Sequence, residues 1–155
     1  MGLEPKTFNI NIRPETFAKR NKGLVTGFIW ISIGDWDYPS ISWDDFPVVI
    51  LSWWLEEAFS ILFGQRDRGI CRFMDGPYWF NLLIPKDGTI MMRFYKSTSK
   101  GEQCLMETLC DANSVTNAML SAAEITIDTC YKAEWITRDL DALVNSYQRL
   151  KQKME

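Results

Sequence analysis

The chain predicts an α+β protein in the order ββ-α-ββββ-αα, with helices packed on one face of a mostly antiparallel sheet. Three observations carry this. Apolar residues alternate with period 2 near the start and again from residue 69 to 110, an apolar segment between Pro47 and Gly64 has helix-end signals at both sides, and helical spacing runs from about 113 onward. A length of 155 residues, with no repeat, linker or low-complexity stretch, fits one domain spanning 1–155.

The elements follow in order. Residues 7–13 place Phe8, Ile10 and Ile12 on one face of a half-buried strand, and residues 24–33 are rich in aromatic and β-branched types. After a turn-rich stretch over 34–42, Ser42 and Asp45 have capping-box spacing. Pro47 belongs in a first turn, so a helix starts near 43–46, and Gly64 supplies its C-terminal cap. Ser52, Glu56 and Ser60 form its one polar stripe, which makes it the most covered helix of the fold. Strands are expected over 70–74, 79–84, 89–96 and 102–110. The turn signals between them, Asp75-Gly76-Pro77, Pro85-Lys86-Asp87-Gly88 and residues 97–101, make a meander. Asn113 reads as the N-cap of a helix reaching about Trp135, with Val115, Ala118, Met119, Ala122 and Ala123 as its packing face. Thr137 opens a last helix carrying Leu140, Leu143, Val144, Tyr147 and Leu150 at helical spacing.

Composition narrows function. There is no histidine, which removes the commonest general acid/base and every triad built on it. No phosphate-binding glycine loop is present, so nucleotide chemistry has no support and no cofactor is expected. The net charge of -3 argues against a nucleic-acid backbone as partner, and the short cluster Lys19-Arg20-Asn21-Lys22 reads as a solvated loop. Cys71, Cys104, Cys110 and Cys130 form no C-x-x-C pair and read as small core residues of a reducing compartment. No targeting signal is visible, and the longest apolar run, residues 46–55, is too short for a bilayer. The expected location is the cytoplasm, with no membrane contact.

Acids and aromatics occur together in the turns. Gly34-Asp35-Trp36-Asp37-Tyr38-Pro39 leads to Trp43-Asp44-Asp45-Phe46, and Phe73-Met74-Asp75-Gly76-Pro77-Tyr78-Trp79 follows. Seven tryptophans are more than a core of this size uses as filler, so some are expected half-exposed at an interface. The candidate partner-binding residues are therefore Asp35, Trp36, Asp37, Tyr38, Trp43, Asp44, Asp45, Asp75 and Tyr78. Their aromatic rings offer contact area, and their carboxylates suit Arg and Lys on a partner. The same turns packed inward on the sheet edge are the bland alternative. A second alternative is a metal-dependent hydrolase using Asp35, Asp37, Asp44 and Asp45. A third is a scaffold module acting through the C-terminal helices.

Gly34-Asp35-Trp36, Trp43-Asp44-Asp45-Phe46, Ser52-Trp53-Trp54-Leu55 and Phe73-Met74-Asp75-Gly76-Pro77-Tyr78 together resemble small bacterial immunity proteins. These accompany polymorphic or contact-dependent-inhibition toxins. The resemblance covers the middle third of the chain. It implies a non-enzymatic protein that binds its cognate toxin domain, often a basic nuclease, and blocks the active site or substrate access.

Overall fold

The computed structural model describes residues 4–155. The antiparallel strands form two four-stranded sheets, with three helices between and beside them. The α+β class and the broad element order are as the sequence predicts, and the division into two sheets is new.

In the first sheet β1 (Phe8–Lys19) pairs with β2 (Val25–Ile33), from Phe8 opposite Ile33 to Lys19 opposite Val25. Strand β1 runs past the predicted end at Arg13 because it is an edge strand, which tolerates Pro14, and a bulge between Arg13 and Ala18 absorbs the irregularity. The Phe17 ring closes over Gly27, where a Cβ would stand 2.2 Å from it, so that position admits no side chain. Two short strands, β3 (Trp36–Tyr38) and β4 (Asp44–Asp45), also pair with β2. The second sheet is the expected meander of β5 (Arg68–Arg72), β6 (Tyr78–Lys86), β7 (Thr89–Thr98) and β8 (Gly101–Asp111). The sheets meet where Lys6 bridges β8. Its N–H donates to the Leu109 carbonyl at 2.8 Å, and its carbonyl accepts the Asp111 N–H at 2.9 Å.

Helix α1 (Pro47–Leu62) begins with proline in its first turn, and Gly64 (φ 71°) ends it in the left-handed conformation. The capping box does not form. Ser42 sits at φ 62°, and it is Asp45, from β4, whose carboxylate accepts the Phe46 N–H at 2.8 Å. Helix α2 (Ala112–Lys132) is capped by Asp111 rather than Asn113, through the Ser114 N–H at 3.1 Å. Helix α3 (Arg138–Met154) is capped by Thr137, as expected.

Helix α1 lies against β5, β6 and β2, and α2 against β1 and β8. The polar stripe of α1 faces α3: Glu56 accepts the Ser146 hydroxyl at 2.8 Å and pairs with Arg149 at 2.7 Å. Trp54, Leu51, Leu55, Phe80, Leu82 and Phe94 are fully buried at the centre, each such aliphatic or Phe side chain contributing about 1.5–3 kcal/mol. On β6 and β7 the core takes Phe80, Leu82, Ile90, Met92 and Phe94. Alternation therefore turns Trp79, Asn81, Met91, Arg93 and Tyr95 to the other face. Among the described residues no helix is long and apolar enough to cross a membrane.

Three of the four free cysteines are buried, but Cys104 is exposed, against the expectation that all four are core residues. Met106 pairs with Phe94 while Cys104 pairs with Tyr95, so Leu105 is an extra residue. That bulge inverts the face on which Cys104 stands relative to Cys110.

Candidate functional site

The acid–aromatic motifs converge, but mostly inward. Asp45 is 0 % exposed and accepts four hydrogen bonds. The donors are the Trp43 indole at 2.9 Å, the Phe46 N–H at 2.8 Å, and the Met74 and Asp75 N–H groups at 3.1 Å each. It thus ties the 73–78 loop to the start of α1. Tyr38 is 1 % exposed at the centre of an aromatic cluster with Trp36, Phe73, Tyr78 and Phe94. Neither Asp45 nor Tyr38 has surface to offer, so both leave the set of partner-binding residues. Their burial follows from β3 and β4 pairing with β2, which turns these side chains inward.

The others divide by strand geometry. Trp36 and Trp43 are half-buried, Trp43 stacking edge-on against Tyr78 with ring centroids 5.3 Å apart. Asp37 points away from Tyr38 and accepts the Trp30 indole at 3.1 Å and the Ser32 hydroxyl at 2.8 Å. Asp35 is exposed in a turn beside Lys6 and Glu107. Asp44 and Asp75 are exposed, and Tyr78 is half-buried. Partial desolvation, then the neighbouring Asp45 and Asp44 carboxylates, raise the Asp75 carboxyl above its usual range. Gly76 has φ 73°, and a Cβ there would stand 2.8 Å from the Trp43 ring, so the turn requires glycine. The four-aspartate metal arrangement is not assembled. Asp37 and Asp45 are engaged by separate donors, and among the described residues no group of three or more His, Cys, Asp or Glu side chains is placed to share an ion.

The outer face of the second sheet holds a different site. A groove of about 460 Å³ crosses it, with Gly76, Pro77 and Tyr78 at its rim. Arg72, Trp79 and Tyr95 stand opposite one another on β5, β6 and β7 and form one cross-strand row. The Trp79 and Tyr95 rings stack with centroids 4.2 Å apart and planes within 9°. Buried aromatic donors hold this row from below. The Trp54 indole donates to the Arg72 carbonyl at 2.8 Å, and the Tyr38 hydroxyl lies 2.8 Å and 2.7 Å from the Trp79 and Tyr95 carbonyls. Burial raises the Tyr38 phenol far above its ordinary value, so it remains a donor across the working pH range. Beside the row lies Asn81, 4 % exposed, whose Oδ1 accepts no hydrogen bond. Arg72 and Ile70 continue the surface to Trp53 on α1, which is 42 % exposed, and Met74 is exposed on the adjoining loop.

Arg68, Arg72, Asn81 and Tyr95 lie outside the motifs, and Trp79 ends one of them without being among the candidate partner-binding residues. The signal that finds them is period-2 alternation of the meander, which puts these positions opposite the core. No family model matches the chain, and no curated protein or solved structure matches it either.

Proposed function

We propose that this protein is an immunity-type inhibitor that binds a toxin domain and blocks its active site or substrate access, using the face centred on Arg72. The observation that supports this is the row Arg72–Trp79–Tyr95, whose backbone carbonyls are fixed by Trp54 and Tyr38 while its side chains remain available. Trp, Tyr, Arg and Met are the types enriched in binding hot spots and interface cores, and Trp53 and Met74 extend that composition outward. A preorganised row limits the entropy lost on binding.

The test is survival of cells expressing the toxin domain encoded beside this chain. Co-expression of the parent chain is expected to restore growth, and Arg72→Glu and Trp79→Ala are expected to lose protection while keeping the parent's circular dichroism. If the parent chain gives no protection and no complex with that domain, the reading is wrong.

A further inference from the structure

The charged residues lining the groove are Arg68, Arg72 and Glu102, so its balance is positive where the whole chain carries -3. Arg66, Arg93 and Arg149 are each paired with a glutamate, but among the described residues Arg68 and Arg72 make no ion pair. They flank Ile70 on β5, where strand geometry separates their Cα atoms by about 13 Å. Asn81, opposite Ile70, adds an unmet demand. Buried amide oxygens in folded proteins find a donor in nearly every case, and its cross-strand neighbours supply none. Ile70 is apolar, and the Arg93 guanidinium is engaged by Glu107. The Trp79–Tyr95 stack forms an apolar floor alongside.

We propose that this groove receives an extended, acidic segment of the protein partner. Its carboxylates pair with Arg72 and Arg68, an intervening side chain lies on the Trp79–Tyr95 stack, and a peptide N–H meets Asn81 Oδ1 once the side chains covering that buried atom turn aside. Carboxylates on alternate residues of an extended chain recur about every 6–7 Å, so those at positions i and i+4 match the about 13 Å between the Arg68 and Arg72 positions along β5. A nucleic acid fits less well. Its phosphates would run on past Glu102, which lines the same groove, on a protein of net charge -3. The inference rests on the protein-binding reading above and names the chemistry of what is bound. The partner of an acidic inhibitor then presents an acidic segment at this face.

The experiment is an NMR titration of the full, ¹⁵N-labelled chain. The probe is a capped pentapeptide with glutamate at its first, third and fifth positions and valine between. The Asn81 side-chain amide and Trp79 indole signals are expected to shift and saturate. Arg72→Glu is expected to weaken binding at least tenfold, with Arg68→Glu as a second variant and melting temperature as the check on folding. Equal binding of the same peptide with lysine in place of glutamate overturns the proposal. So does preferential binding of a single-stranded oligothymidine, or the absence of saturable shifts at Asn81. The growth assay separates the two readings. If the parent and Arg72→Glu protect equally, the groove inference falls together with the Arg72 face assigned above, and neutralisation of the toxin stands on another surface. If the parent fails to protect but the acidic peptide still saturates the groove, the immunity reading falls alone.

Discussion

Asp45 and Asn81 are both polar side chains sunk in the protein, 0 % and 4 % exposed, yet the first accepts four hydrogen bonds and the second none at its Oδ1. Around Asp45 the donors converge from two stretches of chain, 43–46 and 74–75, and the acid–aromatic corner is consumed in holding the loop and the start of α1 together. The residues directly opposite Asn81 are apolar (Ile70) or already engaged (Arg93), and the aromatic row beside it keeps its side chains toward solvent. The same residue types therefore serve as internal fastening in one region and as an open surface in the other. What separates the two regions is whether the hydrogen-bonding capacity of each buried group is filled from within the chain.

That contrast is broken most directly at Asp45. Asp45→Ala strands three backbone N–H groups and an indole, and is expected to cost about 3–5 kcal/mol in urea unfolding. A loss below about 1 kcal/mol would show that the corner is not fastened by this carboxylate. Gly76→Ala forces a side chain into a left-handed position against the Trp43 ring. Its expected cost is about 1–3 kcal/mol, read as a lowered denaturation midpoint with an unchanged slope.

Tyr38→Phe links the two regions. It removes the donor beneath Trp79 and Tyr95 without changing the packing, for about 1–2 kcal/mol. Hydrogen exchange in β6 and β7 near those residues is expected to quicken, and unchanged exchange there would disconnect the corner from the groove.

The smallest effect concerns Asp75. An acid whose pKa is raised in the fold ionises less readily there than in the unfolded chain. Its charge therefore opposes folding at neutral pH. The penalty fades as pH falls through the raised pKa and is gone below the ordinary value of about 3.9. Asp75→Asn is expected to raise the melting temperature at pH 7 by about 1 °C and to leave it unchanged at pH 3. A lower value at pH 7 would mean the carboxylate is stabilised instead.

The legible parts of this fold are those with a long period or a residue of fixed geometry. Pro47, Gly64 and Thr137 marked helix ends correctly because each acts through its own backbone or side chain. Strands β3 and β4 were not legible, since three and two residues are too few to display a period. They exist because β2 offers an unpaired edge there. Their pairing then buried Tyr38 and Asp45, which composition alone had suggested for the surface. Tyr78 and Trp79 make the same point within one strand. The motif drew attention to Tyr78, but β6 sends it toward the aromatic cluster and its neighbour Trp79 onto the groove. Sequence gives the list of aromatics, while register decides which of them face outward.

The extra residue at Leu105 leaves the molecule with a built-in attachment point. Burial pushes the Cys71 thiol well up, and those of Cys110 and Cys130 to about 12 and about 11, so at neutral pH none of the three is a thiolate or within reach of a reagent. Cys104 stands exposed on β8 directly across from Tyr95, at the end of the aromatic row. A maleimide dye added to the native protein is expected to couple once per chain, at this position and without engineering. It would place a fluorescent reporter at the margin of the groove whose occupant is in question.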